Sequence, residues 1–130
     1  MNAIAYKNQD GSISFIIPAV TADVPAGAES ITLNADQIPD MYFWKAFRID
    51  GGNLTVDIQA AKNVRLDTFR EIRKEKLEKL DIEAIKSLEA GDAVKLAYIS
   101  SKKQALRDVT TLPLPDTLEE IKATLPAILA

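Results

Sequence analysis

The residues best suited to chemistry are carboxylates in a charged stretch between residues 60 and 108. Glu71, Glu75 and Glu78 are three to four positions apart, so they share one side of a predicted helix. Carboxylates placed in this way could serve glycosidic or metal chemistry. Arginine and lysine side chains surround these three glutamates, however, and a solvated helix face is the favoured interpretation.

Composition removes most other catalytic groups. The chain has no histidine and no cysteine, which excludes Ser-His and Cys-His triads, disulfides and the commonest metal ligand. Its five glycines form no phosphate-binding loop. Residues 50–53 (Asp-Gly-Gly-Asn) lack the oxygen ligands that would follow in a calcium loop. We therefore expect a protein that is not an enzyme and holds no cofactor or metal.

Charge and hydropathy also limit the partners. The net charge is −3 and acidic and basic residues are interleaved, so the chain lacks a basic footprint for nucleic acid. No run approaches the ~20 apolar residues of a membrane span, and Met1–Tyr6 is too short for a signal peptide. We expect a soluble cytoplasmic protein that binds neither nucleic acid nor membrane.

The first 58 residues predict a small antiparallel sheet. Asp-Gly and Asp-Gly-Gly-Asn between apolar runs are hairpin signals, because glycine accepts a positive φ. Asn34 or Asp36 is suited to capping a single helical turn. Alternation in the last strand places Leu54, Val56 and Ile58 toward the core. The predicted strands are residues 2–7, 13–17, 30–33, 43–49 and 54–58.

Two helices are predicted next, over residues 59–109. The first runs to about residue 90, where Gly91 provides a left-handed end. Asp92 then caps a second helix that reaches about residue 109. Such a short break favours an antiparallel helical hairpin, and the alternative is one continuous bent helix.

An apolar stripe along these helices requires a packing partner. Eleven residues make nearly three helical turns, so side chains at that spacing share one narrow face. Either the hairpin itself covers the stripe, which the turn at Gly91 favours, or another subunit does so in a homo-oligomer. The stripe consists of Leu66, Leu77, Leu88 and Ile99, with Phe69 and Leu80 at the same spacing.

Aromatic residues are concentrated just before the second predicted hairpin. Tyr42, Phe43, Trp44 and Phe47 lie within six positions. Aromatic residues dominate binding hot spots, which makes Tyr42, Phe43 and Trp44 candidate partner-binding residues. Packing in the core is the favoured alternative.

The last segment, residues 110–130, is apolar and contains three prolines. Two of them make residues 110–115 an extended tether, and Asp116 with Glu119 resembles a capping box that opens a short helix over 118–125. The apolar side chains either fold back on the hairpin or dock in a groove of another protein. The candidate partner-binding residues of this segment are Leu118, Ile121, Leu125, Ile128 and Leu129.

Several segments, taken in order, resemble small tail-associated proteins of tailed bacteriophages. Residues 36–47 are similar to that family's LPD-x-YF-x-AW segment, and residues 50–62 to its Asp-Gly-Gly hairpin and helix start. The helical run over 70–109 and the terminal segment 118–129 follow in the family's order. Phe47 stands where the family usually has tryptophan.

The resemblance implies a phage tail or tail-fibre assembly chaperone, present in the host bacterial cytoplasm during assembly. Its partner would be a tail-fibre, tail or baseplate subunit. The alternative is a permanent virion component, such as a tail-fibre adaptor or baseplate-associated protein in the virion tail. The chain would be a weak homo-oligomer or a monomer bound to an oligomeric fibre.

The predicted fold class is α+β, with three parts. Residues 1–58 form a small N-terminal antiparallel β-hairpin sheet, and residues 59–109 a long charged helical hairpin. Residues 110–130 form a Pro-containing tether and a short apolar C-terminal helix.

Overall fold

The computed structural model describes residues 1–130 and has the predicted α+β architecture. The strands are β1 (Asn2–Lys7), β2 (Ile13–Ile16), β3 (Ser30–Asn34), β4 (Phe47–Asp50) and β5 (Asn53–Val56). The helices are α1 (Ile58–Glu89), α2 (Ala93–Asp108) and α3 (Leu118–Ala123). The chain divides into two compact units, residues 1–64 and 65–130, so the start of α1 belongs to the first unit.

The five strands of the N-terminal unit form two sheets rather than one. In the three-stranded sheet, antiparallel β1 lies between β2 and β3, and Ala5 pairs with both Phe15 and Ile31. The centre of β1 is fully covered, with Ala3 and Ala5 buried. The second sheet is the β4–β5 hairpin, in which Ile49 pairs with Leu54.

The predicted strand over residues 43–49 is wrong in its first half. Residues 41–46 form 3-10 turns, and the strand begins only at Phe47. The Asp40 carboxylate accepts a hydrogen bond from the Tyr42 N–H at 3.0 Å, and the Asp40 carbonyl accepts one from the Phe43 N–H. These local bonds outweigh the strand propensity of the aromatic residues.

The last predicted strand, residues 54–58, extends two residues beyond the end of β5 at Val56. Residues Leu54 and Val56 are half-buried while Thr55 is exposed, as the alternation predicts. Ile58, however, is the first residue of α1. The Asp57 carboxylate accepts a hydrogen bond from the Ala60 N–H at 3.2 Å, so Asp57, the single residue between β5 and α1, caps the helix.

In the C-terminal unit, α1 and α2 form an antiparallel hairpin. Lys103 on α2 makes an ion pair with Asp81 on α1, and the Arg73 guanidinium donates to the Arg107 carbonyl at 3.3 Å. Residue numbers thus rise along one helix as they fall along the other. The hairpin core consists of Phe69, Leu80, Ile99, Leu106, Val109 and Leu129.

Two backbone hydrogen bonds close the turn between α1 and α2. The Asp92 N–H donates to the Ser87 carbonyl at 2.9 Å, and the Gly91 N–H to the Leu88 carbonyl at 3.2 Å. This is a Schellman motif, and Gly91 has the left-handed φ of +69° that the motif needs. Asp92 also caps α2, since its carboxylate accepts from the Lys95 N–H at 3.0 Å. The sequence prediction for both residues is confirmed.

We expect Gly91→Ala to lower the free energy of unfolding by about 1–2 kcal/mol, because an L side chain is disfavoured at positive φ. No atom lies within 4 Å of an added Cβ, so the cost is one of backbone conformation rather than of collision. Urea unfolding followed by helical circular dichroism measures it. Gly91→Asn is the matched control, because asparagine tolerates this conformation and should cost less. Equal losses in both variants would contradict the assignment.

Most of the predicted stripe is covered inside this hairpin. Phe69, Leu80 and Ile99 are buried, and Leu66 and Leu77 are half-buried against the same cluster. Leu88, in contrast, is 68% exposed. Eleven residues fall about 20° beyond three full helical turns, so the third member of the row has drifted away from the contact face.

The C-terminal helix is shorter than predicted and begins differently. It covers Leu118–Ala123, and its cap is Thr117, whose hydroxyl accepts from the Glu120 N–H at 3.3 Å. The predicted helix extended to Leu125, two residues beyond the observed end. A 3-10 turn over Ala127–Leu129 follows, and Leu129 packs in the hairpin core.

Candidate functional site

The carboxylates of α1 do not form a metal-binding cluster. Glu71, Glu75 and Glu78 are all exposed to solvent. No group of three or more acidic side chains is arranged to hold a metal ion. The solvated helix face therefore remains the better description of this surface.

The aromatic cluster is divided between core and surface. Phe43 and Phe47 are fully buried, and the Phe47 ring meets Phe15 edge-on with centroids 5.9 Å apart. Tyr42 is half-buried and its ring contacts Phe43 in a T-shaped arrangement at 4.8 Å. Trp44, in contrast, is 44% exposed. Of the three predicted binding aromatics, Trp44 thus presents the largest surface to a partner, while Phe43 is inaccessible.

Trp44 lines an open pocket of about 490 Å³ in the N-terminal unit. The turn between β1 and β2 contributes one wall, and the segment from the 3-10 turns into β4 contributes the other. The residues around Trp44 are Lys7, Asp10, Gly11, Ser12, Lys45 and Arg48. The pocket therefore combines one exposed indole with three cations and one carboxylate.

Two of the cations are held in place by local contacts. The Arg48 guanidinium donates to the carbonyls of Lys45 at 2.9 Å and Phe47 at 2.8 Å, and lies 3.9 Å from the Asp57 carboxylate. The Lys45 ammonium lies 5.5 Å from the centroid of the Trp44 ring, within cation–π distance.

The single carboxylate of the pocket is part of the β1–β2 turn. Asp10 accepts hydrogen bonds from the Ser12 hydroxyl at 2.6 Å and the Ser12 N–H at 2.9 Å. Both bonds favour the ionised form, the hydroxyl most, and lower the pKa of Asp10 below its usual value of 3.8. This carboxylate therefore remains charged in mildly acidic solution.

We expect Ser12→Ala to raise the Asp10 pKa, because the hydroxyl bond is the largest cause of its depression. Since the folded pKa lies below the unfolded one, the Asp10 contribution to stability is present above the ordinary pKa and is lost as pH falls through the lowered value. Carboxyl carbon shifts in an NMR titration measure this pKa. An unchanged Asp10 pKa in Ser12→Ala would contradict the assignment.

The predicted binding residues of the terminal segment mostly face the fold. Ile121 and Leu129 are buried, and Leu118 and Ile128 are half-buried. Only Leu125 is substantially exposed, at 45%. Of the two alternatives for this segment, packing against the hairpin is observed for Leu129 and Ile128.

A second surface was missed by the sequence reasoning. Exposed apolar side chains recur over residues 82–98, on both sides of the α1–α2 turn, in the part of the hairpin that we call the hairpin tip. Its members are Ile82, Ile85, Leu88, Val94 and Tyr98, each more than half exposed. The signal in the sequence was the spacing of Ile82, Ile85 and Leu88, three apart, which spreads them over an arc of about 120°.

Charged residues are interspersed at the hairpin tip. Glu83, Lys86, Glu89 and Lys95 are all exposed there. The turn that joins the two helices is fixed by the Schellman bonds and the Asp92 cap. The apolar side chains of the tip therefore lie on two helices whose connecting turn is fixed by hydrogen bonds.

The fold and these surfaces define an α+β protein with two candidate binding surfaces, the Trp44 pocket and the hairpin tip. None of its helices has the length and apolar character needed to cross a membrane. No protein-family model, curated protein or solved structure matches the chain significantly.

Proposed function

We propose that this protein is a non-catalytic binding protein that docks on a bacteriophage tail or tail-fibre subunit during assembly. The observation that carries the proposal is the concentration of exposed apolar side chains at the hairpin tip. Single exposed apolar residues are common on proteins, but a local concentration of them is typical of interaction surfaces.

The energetics favour a partner that covers the tip. Full burial of one leucine-sized side chain is worth about 1.5–3 kcal/mol. Apolar contact therefore supplies most of the binding free energy at a surface of five such residues, while the interspersed charges select orientation. Because the turn is rigidly bonded, little conformational entropy is lost when the tip is bound.

The sequence resemblance supports the identity of the partner. Residues 30–130 resemble small tail-associated phage proteins, and this range includes the whole hairpin. On this proposal the protein acts in the host bacterial cytoplasm, where it covers apolar surface of a tail, tail-fibre or baseplate subunit until assembly. The exposed Leu125 and Trp44 are further contacts available to such a partner.

Two preparations from a phage that carries this gene test the proposal. Affinity capture from infected-cell lysate, followed by mass spectrometry, should enrich a tail or tail-fibre subunit. Mass spectrometry of purified virions should show that the protein itself is absent, as expected of a chaperone. Its presence at fixed stoichiometry would instead identify a permanent virion component, and failure to enrich any tail subunit would contradict the proposal.

A further inference from the structure

The Trp44 pocket has a chemistry that differs from that of the rest of the surface. Three cations and one carboxylate line it, and the Asp57 carboxylate lies 3.9 Å from Arg48, so the local net charge is +1 in a chain whose net charge is −3. The Asp10 carboxylate already accepts two hydrogen bonds from Ser12. The potential inside the pocket is therefore suited to an anionic ligand.

The cations of the pocket are arranged around an exposed ring. Lys45 stands over the Trp44 indole, and Arg48 is anchored beside it by two backbone carbonyls. Lys7 approaches from the opposite wall, at the end of β1. An anchored guanidinium loses little freedom on binding, and the N–H groups of Arg48 other than those of Nη1, which donates to the two carbonyls, are the ones that can pair with a carboxylate.

We propose that this pocket binds an acidic peptide segment of a partner protein. Carboxylates of the segment pair with Lys7, Lys45 and Arg48, and an adjacent apolar side chain lies on the Trp44 ring. Charge complementarity favours this occupant, because the cations of the pocket attract its carboxylates. The one large apolar surface of the pocket, the Trp44 ring, can contact an apolar side chain of the same segment.

A peptide fits the pocket better than a nucleic acid does. Proteins that bind single strands combine a basic groove that follows the backbone with several aromatic rings on which successive bases stack. Here the three cations line one pocket, a single ring is exposed, and Asp10 and Asp57 lie among the cations. The pocket therefore lacks the row of aromatic rings on which successive bases would stack.

The proposal does not depend on the hairpin tip. All residues of the pocket belong to the N-terminal unit, and the tip belongs to the other unit. Loss of binding at one surface can therefore be distinguished from loss at the other by variants confined to each unit.

Trp44 is the only tryptophan of the chain, so intrinsic tryptophan emission reports directly on the pocket. The full chain is titrated with a synthetic peptide in which glutamates flank a leucine, and separately with the same peptide carrying glutamine at each glutamate. We expect a saturable change in emission with the glutamate peptide only. Raising the ionic strength should weaken it, because the contacts lie near the surface.

Two double variants test whether the change in tryptophan emission depends on the cations of the pocket. The double variant Lys7→Gln, Lys45→Gln should bind the glutamate peptide about tenfold more weakly, as expected for the loss of two solvent-exposed ion pairs. Lys86→Gln with Lys95→Gln removes the same charge from the hairpin tip and should leave the affinity unchanged. Both pairs replace exposed side chains, so folding is preserved.

Four results would overturn the proposal. One is no saturable response to the glutamate peptide, and a second is an equal response to the glutamine peptide. A third is stronger binding of inorganic phosphate or a single-stranded oligonucleotide, which would indicate a phosphate site. The fourth is an emission change that depends on protein concentration without peptide, which would indicate that a second copy fills the pocket.

Discussion

Replacing Phe69 by alanine should lower the free energy of unfolding by about 3–5 kcal/mol. The ring is fully buried in the hairpin core, where it packs with residues of both helices and of the terminal 3-10 turn. The Arg65 guanidinium also lies 5.1 Å from its centroid. The substitution therefore leaves a cavity and removes the aromatic face that the cation contacts.

Urea unfolding followed by circular dichroism measures this loss, since α1 and α2 supply most of the helical signal. Leu88→Ala is the matched control on the same helix, because Leu88 is 68% exposed and should change stability by less than about 0.5 kcal/mol. Similar losses in the two variants would mean that the face of α1 in contact with α2 has been assigned incorrectly.

Leu129→Ala should be the next most destabilising change, at about 2–4 kcal/mol. Leu129 is 4% exposed and belongs to the hairpin core, although it lies at the end of the chain. A hydrogen bond from the Lys76 ammonium to the Ala130 carbonyl, at 3.3 Å, holds the same segment against α1. The terminal segment thus contributes directly to the stability of the hairpin.

Leu125→Ala provides the control for this prediction, with the same change of side chain four residues earlier. Leu125 is 45% exposed, so its loss should be well under half that of Leu129. The same urea experiment compares the two variants. If Leu129→Ala is neutral, the segment is not packed on the hairpin in solution and becomes available to a partner.

The hairpin could be predicted because its signals are local. Gly91 and Asp92 are adjacent and each has one strong conformational preference, so the turn and both caps follow from the sequence. The spacing of Phe69 and Leu80 likewise places them on the buried face. What the pattern could not show was the drift that leaves Leu88 in solvent, because that depends on where α2 packs.

The candidate surfaces were harder to predict, for two physical reasons. The Trp44 pocket combines Lys7, Asp10 and Arg48, which are distant in sequence and meet only through the tertiary fold. In the hairpin tip, Ile82 and Ile85 have the same helical spacing as core residues. The sequence alone therefore does not show which of these residues face the partner helix α2. The segment around Phe43 was assigned to a strand because aromatic residues favour strands, while the Asp40 cap acts against them.

For the terminal segment, the sequence supported two outcomes equally. Folding back on the hairpin and docking on a partner bury the same side chains, such as Ile121 and Leu129. Hydrophobicity alone cannot distinguish them, because both remove the same apolar area from water. The choice depends on whether the hairpin offers a surface of matching shape, which only the fold reveals.

We propose that the hairpin tip binds a phage tail or tail-fibre subunit, and Ile85→Glu tests this binding most directly. Ile85 is 61% exposed, so glutamate there should leave the fold intact while burying an unpaired charge in the complex. Ala105→Glu adds the same charge at an exposed position 13 residues beyond Asp92, about 20 Å along α2.

The measurement is the affinity of the purified tail subunit for each variant by isothermal titration calorimetry. We expect Ile85→Glu to bind at least about tenfold more weakly than the unsubstituted protein, while Ala105→Glu binds equally well. Unchanged affinity in Ile85→Glu, or equal losses in the two variants, would contradict the claim that the tip is the docking surface.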